Sequence, residues 1–432
     1  MGRPERPLDA SGGPVPAFAH DLRALRHRAG NPSYRRLAGD ALFSPSVLSS
    51  AAGGWRLPTL AVTMAFVSAC GGDRVQWERR WREIAERSAV VRDDRPYAPD
   101  AGTFVRPAQL PMAAGSFVGR ADVIADAGRL IGSSADARTP ILISGLAGVG
   151  KSALALRLAE QPASRFPDGQ LYVDLATDRS DGAAVPAIVR DFLLALGVPA
   201  EHVSDNPMQR IGLYRSLLAQ RKVFVLLANV RREAQVRPLL AQSAHSQVVL
   251  TSRARLLGLC GTYRVHLDVF SRAESLALLR RLAGSARVRA EYEAADAIAE
   301  LCGDLPLAVS IVGRRIAARP QRTIADTAGQ LTDRRRLLDI LAVGDMTVRE
   351  RFASAYQRLS APARAVVRRL GSNGARSTTA IGVATAMNVP VDTTDELLES
   401  LVDAGLVRHS AVAGRYDIPA LVSVFAGEMR QI

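Results

Sequence analysis

The sequence predicts a multidomain protein that combines all-α parts with one α/β part. Its 432 residues exceed what a single hydrophobic core usually holds, so several domains are expected. Between residues 117 and 268, short apolar runs alternate with amphipathic helical patterns, which is typical of a parallel sheet built from βαβ units. The sequence beyond this α/β part shows helical periodicity almost throughout, and so does a stretch before it.

Composition excludes several other classes of protein. The cysteines Cys70, Cys260 and Cys302 form no CxxC pair, so neither a disulfide framework nor a zinc site is predicted, and a reducing cytoplasm is the expected location. The longest apolar stretch, LPTLAVTMAFVSAC, falls short of the roughly 20 residues that a bilayer requires, so no membrane segment is expected. The net charge of +14 favours contact with a polyanion without pointing to one domain.

The N-terminal part predicts helices between two irregular segments. Residues 1–16 are expected to be a disordered arm, 17–90 a set of packed helices, and the Pro- and Gly-rich 91–115 a linker. Within the helical part, SYRRLAGDA and SPSVLSSAA predict two short helices joined by a tight turn. Ser44 can cap the second helix, with Pro45 at its first position.

This region resembles a helix-turn-helix domain of the Xre type, which implies that its second helix enters the major groove of double-stranded DNA. The residues expected at base edges or phosphates are Ser44, Ser46 and Ser49, and those expected at phosphates are Arg35, Arg36 and Arg56. The alternative is a module that binds protein, because the second helix lacks the Arg, Lys, Asn and Gln side chains that read bases best.

The segment PILISGLAGVGKSALALRLAE joins an apolar strand to an apolar helix through the pattern GxxxxGKS. Gly145, Gly148 and Gly150 let backbone N–H groups face a phosphate, and the helix dipole favours the same anion. Lys151, one of only two lysines in the chain, would reach the terminal phosphates, and the Ser152 hydroxyl would ligate Mg²⁺. The sequence therefore predicts a phosphate loop that binds a nucleotide.

The apolar strand KVFVLLANV, residues 222–230, lacks an expected acid. Mg²⁺ in such sites usually takes a carboxylate at the end of a neighbouring strand. Ala228 and Asn229 stand at that place, and neither side chain carries a negative charge. Weak Mg²⁺ binding and slow or absent hydrolysis are therefore expected. The alternative is that Asp174 of LYVDL, or an acid from a partner, substitutes.

The stretch from Phe117 to about Ile418 resembles the NB-ARC, or AP-ATPase, branch of the STAND nucleotide switches, as found in actinobacterial regulators. Besides the phosphate loop, the motifs that carry the resemblance are FVGR (117–120), RFPDGQLYVDL (165–175), VVLTSR (248–253) and CGDLPLAV (302–309). The resemblance implies a P-loop α/β nucleotide-binding domain at 116–270, a helical bundle of the ARC type at 271–343 and a winged-helix domain at 344–432. In the last of these, VRHSAVAGRYDIP predicts a two-stranded wing between helices.

The resemblance also implies roles for single residues. FVGR and Pro306 would lie near the adenine, and Arg253 would point at the γ-phosphate, where a fixed charge distinguishes ATP from ADP. The expected contacts of ATP or ADP are Val118, Gly119, Arg120, Gly145, Gly148, Val149, Gly150, Lys151, Ser152, Ala153, Arg253 and Pro306. The family's winged helix carries a His-Asp pair that holds the β-phosphate. Pro419 and Ala420 stand at those positions, so this latch is predicted to be missing.

These features predict a nucleotide-dependent transcriptional regulator of the cytoplasm that binds DNA and forms oligomers. No catalytic residue is predicted, and the expected partners are DNA, further copies of the chain and a separate sensor protein. Two other hypotheses stay open. One is an active STAND ATPase that remodels or assembles protein partners, which needs a substitute metal acid. The other is a nucleotide-bound scaffold whose N-terminal helices contact protein.

Overall fold

The computed structural model describes residues 13–41, 43, 45–54, 57–90, 105–113, 115–132, 138–160, 163–176, 185–372 and 376–430. The contacts within the chain divide it into two compact units, Met1–Ala98 and Pro99–Ile432. None of the helices in the described ranges has the length and apolar character that crossing a membrane requires.

The described part of the first unit is all helical, as predicted. Its helices are α1 (Pro14–Arg28), α2 (Tyr34–Ala41), α3 (Pro45–Ala51), α4 (Leu60–Ala69) and α5 (Arg74–Val90). α1 begins inside the predicted arm 1–16, so the helical part starts earlier than expected. The fixed φ of Pro14 suits the first turn of a helix, and Pro45 occupies the same position in α3.

One apolar core holds this unit together. Phe18, Leu22, Leu48 and Phe66 are fully buried in it. The ring of Phe18 meets that of Trp77 edge-on, with 5.3 Å between the ring centroids. This core orders the two short helices, α2 and α3, against α4.

The second unit contains a five-stranded sheet in which every described strand pair is parallel. Its strands are β1 (Ile141–Gly145), β2 (Gly169–Asp174), β3 (Val223–Val230), β4 (Gln247–Ser252) and β5 (Tyr263–Leu267). Their order is β2-β3-β4-β1-β5, so the predicted apolar runs are confirmed as strands. All carboxyl ends therefore meet at the same edge of the sheet, which is where parallel α/β sheets place ligands.

Helices cover both faces of the sheet, namely α6 (Ala121–Gly132), α7 (Lys151–Glu160), α8 (Val185–Ala195) and α9 (Pro207–Gln220). Side chains along β3 alternate between two cores. Val225 and Leu227 belong to the core with α8 and α9, whereas Phe224 and Leu226 belong to the core with α6 and α7. Burial on both faces explains why β3 reads as a continuous apolar run.

Part of the predicted linker 91–115 belongs to the sheet. Within the described residues 105–113, Ala108 forms a parallel bridge with Gln170 beside β2. The N–H of Gln109 donates to the carbonyl oxygen of Gln170 at 3.0 Å. A pairing this short has no apolar period, so the sequence pattern did not reveal it.

A helical region follows the sheet, as predicted. Its first helices are α10 (Arg272–Ala283), α11 (Ser285–Ala290), α12 (Tyr292–Leu301), α13 (Pro306–Ala317), α14 (Ile324–Leu331) and α15 (Leu337–Ile340). α10 begins with a capping box, in which the Ser271 hydroxyl accepts from the N–H of Glu274. Arg272 then ties α10 to the start of α13 through a hydrogen-bonded ion pair with Asp304 at 3.1 Å.

The C-terminal part adds further helices and two small antiparallel sheets. The strands are β6 (Ala342–Val343), β7 (Met346–Thr347), β8 (Ser377–Thr379), β9 (Arg408–His409) and β10 (Arg415–Asp417). The helices are α16 (Val348–Tyr356), α17 (Ala361–Ser372), α18 (Ala380–Met387), α19 (Val391–Asp403) and α20 (Ala420–Glu428). One apolar core extends from α10 to α20.

The predicted two-stranded wing has a third strand. β9 and β10 pair as expected, and β8 pairs with the other side of β10. Thr378 and Thr379 lie in the part of the chain whose pattern is helical almost throughout, but both are β-branched and lie opposite Tyr416 and Arg415. Pairing with a strand nearly forty positions later is not visible in local sequence.

Candidate nucleotide-binding site

The loop between β1 and α7 has a backbone that requires glycine. The φ angle is 141° at Gly145, 82° at Gly148 and 97° at Gly150. A Cβ atom at Gly145 would lie only 2.3 Å from the carbonyl oxygen of Leu267. The carbonyl oxygen of Gly148 accepts from the N–H of Leu307 at 3.1 Å, so the loop packs against the start of α13.

Lys151 is the first residue of α7, and its side chain turns back into the loop. Its Nζ donates to the carbonyl oxygens of Gly145 at 2.8 Å and Leu146 at 2.7 Å. Burial lowers the pKa of Lys151 to about 7, and the nearby charges of Arg253 and Arg351 act in the same direction. The site therefore disfavours a further positive charge and favours an anion.

Arg253 follows β4, which lies between β1 and β3. Among the described residues, its Nη1 atom is buried and has no hydrogen-bond partner. Burial, together with the charges of Arg358, Arg351 and Arg231, lowers the pKa of Arg253 to about 10. A buried guanidinium nitrogen without an acceptor can accommodate an anionic ligand, and this one lies beside the glycine loop.

The end of β3 carries no acid. Ala228 is buried, and Asn229 adopts a left-handed conformation with φ of 55° at a register shift between β3 and β4. The Nδ2 of Asn229 donates to Oδ1 of Asp174 at 2.8 Å, and the same oxygen accepts from the N–H of Ala176. Asp174 lies opposite Ala228, on the edge strand β2.

One cavity of about 560 Å³ is lined by Lys151, Asp174, Asn229 and Arg253. Its cationic lining residues are Arg120, Lys151, Arg253 and Arg351. Asp174 is the one acid among the lining residues that the structure describes. Apolar lining is supplied by Phe117, Val118, Leu278, Pro306 and Leu307, among others. A cavity of this size and mixed character suits a small molecule with one apolar and one anionic part.

FVGR reaches the cavity through a strained turn. Arg120 has φ of 61°, its N–H donates to Oε1 of Glu274 at 2.9 Å, and its guanidinium lies 5.0 Å from the centroid of Phe270. A Cβ at Gly119 would lie 2.2 Å from the same Glu274 oxygen. The Glu274 side chain would have to move to admit that Cβ, and the φ of 73° at Gly119 itself favours glycine in this turn.

Most of the predicted nucleotide contacts converge on the cavity. Those among its lining residues are Val118, Arg120, Gly148, Val149, Gly150, Lys151, Ser152, Ala153, Arg253 and Pro306. Gly119 and Gly145 are outside this lining; their positive φ angles set the backbone of the FVGR turn and of the loop after β1. Sequence reasoning missed Met346 and Arg351, which come from β7 and α16. No local motif marks these two residues, because only tertiary packing brings them to the loop.

The C-terminal region touches the phosphate loop from a second side. The N–H of Ala147 donates to the carbonyl oxygen of Gly405, which follows α19, at 3.4 Å. Pro419 and Ala420 line a small pocket together with Leu146 and Ala147. Neither Pro419 nor Ala420 has a side-chain hydrogen-bond donor, so neither side chain can hold a phosphate.

The predicted DNA-binding residues belong to the first unit. Arg35 and Arg36 on α2 and Ser49 on α3 are exposed. Outside the described part of the chain lie the side chain of Ser46 and the whole of Ser44 and Arg56.

Two solved structures resemble the chain in outline. A Walker-type ATPase of Pyrococcus abyssi superposes with a TM-score of 0.48 at 14% identity, over 76% of this chain and 99% of that one. A STAND protein with a tetratricopeptide repeat sensor from Pyrococcus horikoshii gives a TM-score of 0.37 at 16% identity, over 74% of this chain and 44% of that one.

Two proteins of known sequence are more similar to the chain than these solved structures are. No family model matches the chain. The regulatory protein AfsR of Streptomyces coelicolor is 38% identical over 349 residues, which are 79% of this chain and 34% of that protein. AfsR of Streptomyces griseus is 38% identical over 352 residues, which are 80% of this chain and 36% of that protein. The chain thus spans about one third of the length of these curated relatives, and most of it is similar to a segment of a Streptomyces regulatory protein.

Proposed function

We propose that this chain is a nucleotide-dependent transcriptional regulator that holds ATP or ADP at the loop after β1 and hydrolyses it weakly or not at all. The observation that carries the proposal is the cavity where Lys151 and the unpaired nitrogen of Arg253 meet beside a glycine loop. The similarity to AfsR supports a regulatory role.

The two chemistries of the cavity suit the two parts of a nucleotide. The adenine would lie among apolar groups such as Val118 and Pro306. The phosphates would lie at the glycine loop, where backbone N–H groups, the start of α7 and Lys151 favour an anion. Ser152, exposed at the start of α7, is the proposed ligand of a weakly held Mg²⁺.

Weak hydrolysis follows from the end of β3. A carboxylate at this strand end normally holds the metal that neutralises the transferred phosphoryl group. Ala228 offers no oxygen there, and Asn229 offers a neutral amide that already binds Asp174. The nucleotide would then serve as a structural ligand, with its occupancy rather than its turnover setting the state of the chain.

Nucleotide binding is tested by isothermal titration calorimetry of ATP into the nucleotide-free full chain. Lys151→Met is expected to weaken binding at least about tenfold, because a charge-assisted hydrogen bond to phosphate is lost. The chain's other lysine provides a matched control, since Lys222 is exposed and outside the cavity lining. Equal affinity of Lys151→Met, Lys222→Met and the unaltered chain would contradict the proposed site.

DNA binding is proposed for the first unit, with α2 and α3 as a helix-turn-helix pair. Arg35 and Arg36 are exposed on α2 and suit phosphate contacts, and Ser49 is exposed on α3. The serines read bases poorly, so affinity would depend on phosphate contacts and on several copies acting together. The C-terminal winged helix would serve the nucleotide switch and the oligomeric state.

A DNA gel shift with the full chain at several salt concentrations tests this second part. Arg36→Ala should weaken binding to any duplex. It should also reduce the slope of log binding constant against log salt concentration by about one, because one phosphate contact is lost. Arg79→Ala on α5, which removes an exposed arginine outside the helix pair, is the control. Absence of binding even at low salt would instead favour a module that contacts protein.

A further inference from the structure

The residues around the phosphate loop do not fit a tightly held divalent cation. P-loop sites usually combine a Ser or Thr hydroxyl with a strand-end acid. Here Ser152 supplies the hydroxyl, but Ala228 is buried and has no donor atom. Oδ1 of Asp174 already accepts from Asn229 and from a backbone N–H.

The position of Asp174 in the sheet is also unfavourable for a ligand of a metal ion bound by Ser152. β2 is separated from β1 by both β3 and β4. At a usual strand spacing, β2 lies about 14 Å from β1 across the sheet. A metal ion bound by Ser152 requires ligand oxygens at about 2.1 Å. Oδ1 of Asp174 would have to give up Asn229 and the N–H of Ala176 to become such a ligand.

Fixed positive charges gather at the place that lacks a metal acid. Lys151, Arg253 and Arg351 line the same cavity, although they come from the loop, from the end of β4 and from α16. Nη1 of Arg253 is buried without an acceptor among the described residues. Arg351 is exposed at the mouth of this cluster and lies close enough to lower the pKa of both other cations.

Guanidinium groups can perform the neutralising part of a metal's role. Arginine stays charged, holds phosphate oxygens through two parallel N–H groups and is less strongly hydrated than an ammonium group. In a partly buried site, these charges act on the phosphates through a lower dielectric constant than that of water. They cannot replace the metal's part in activating water, so binding and hydrolysis become separable.

We propose that this site binds a nucleoside triphosphate without requiring a divalent cation, and that Arg253 and Arg351 neutralise its terminal phosphates in place of a tightly held Mg²⁺. Arg351 thereby links α16 of the C-terminal region to the bound nucleotide. This inference rests on the proposed nucleotide site. It adds that arginine side chains serve as the counter-ions of the phosphates, and that Arg351, which no sequence motif indicates, binds the nucleotide.

The test is calorimetric titration of ATP into the nucleotide-free full chain, once with EDTA and once with Mg²⁺. We expect the two dissociation constants to agree within about threefold, a difference below 1 kcal/mol. Binding that requires Mg²⁺ would overturn the inference while leaving the proposed function intact. Absence of binding under both conditions would overturn the proposed function as well.

Variants of Arg351 test its part separately. In EDTA, Arg351→Gln should weaken ATP binding at least about tenfold, and Arg351→Lys should restore part of the loss because the charge remains. Arg289→Gln on α11 is the matched control, since Arg289 is exposed and outside the cavity lining. Equal ATP affinity for the Arg351→Gln and Arg289→Gln variants would overturn the assignment of Arg351. If Arg351→Gln weakened AMP binding as much as ATP binding, the assignment of Arg351 to the terminal phosphates would be overturned.

Discussion

At the scale of single residues, the chemistry of the phosphate loop depends on two buried cations and one substitution. Lys151 is satisfied by carbonyl oxygens of its own loop, whereas Arg253 keeps a buried nitrogen without an acceptor. Burial and the neighbouring cations disfavour the charged forms of both side chains, and an anion bound between them would offset that cost. Ala228 removes the acid that would compete with that anion for the same cations.

Restoring the acid should change both metal binding and turnover. In Ala228→Asp, a buried carboxylate would stand opposite Asp174, and two neighbouring carboxylates repel each other unless a cation lies between them. We expect a lower unfolding temperature without Mg²⁺, recovery with Mg²⁺ and ATP, and faster phosphate release. Thermal unfolding and a phosphate assay measure these effects.

Ala228→Asn is the control for that prediction, because it has nearly the same shape without the charge. It should show neither the recovery by Mg²⁺ nor the faster phosphate release. A folded Ala228→Asp variant whose turnover does not exceed that of Ala228→Asn would contradict the role assigned to this position.

At the level of helices and strands, the five-stranded sheet could be predicted from the sequence, whereas three contacts distant in sequence could not. The strands of the α/β part are apolar and β-branched-rich, so their existence and order along the chain follow from local pattern. The bridge of Ala108 to Gln170, the third strand of the wing and the approach of Arg351 all depend on contacts distant in sequence. Local periodicity carries no signal for such contacts, which is why the sequence interpretation did not include Arg351 in the site.

The contact between the loop after α19 and the phosphate loop supports a prediction with an internal control. Gly405 has φ of 67°, and a Cβ there would lie 3.4 Å from both the Ala147 nitrogen and Cβ of Arg253. Gly414, in the turn between β9 and β10, has φ of 71° and open space around it. Alanine at either position should cost about 1 kcal/mol of unfolding free energy, because left-handed backbone disfavours a side chain.

Only Gly405→Ala should also weaken ATP binding, since its methyl group presses on the loop and on Arg253. Chemical denaturation measures the first effect and calorimetry the second. Equal ATP affinities of Gly405→Ala and Gly414→Ala would show that the C-terminal contact does not influence the loop.

At the scale of the whole molecule, the proposed ligand site lies within the second unit. This unit joins the sheet, the helical region and the wing around the phosphate loop, and one core runs from α10 to α20. Arg349 on α16 fastens the last helix through paired hydrogen bonds to Glu428 at 3.0 and 2.9 Å. A ligand held by both the loop and α16 should therefore stabilise the unit as a whole.

Calorimetric unfolding of the full chain should reveal that stabilisation. ATP at about a hundred times its dissociation constant is expected to add about 2.7 kcal/mol to the unfolding free energy of the second unit. At the same ATP concentration, Lys151→Met should reduce the shift to about 1.4 kcal/mol or less, and Lys222→Met should retain it. An unfolding temperature that does not respond to saturating ATP would contradict a site shared between the loop and the C-terminal region.

Radiolabelled ATP, followed on the full chain with Mg²⁺ present, distinguishes a nucleotide that is only bound from one that is hydrolysed. Bound ATP should remain intact over hours, because the end of β3 has no acid to hold the metal. Conversion of the bound ATP to ADP and phosphate within minutes, abolished by Lys151→Met, would contradict the proposed weak hydrolysis and assign the missing acid to another residue, with Asp174 the first to test.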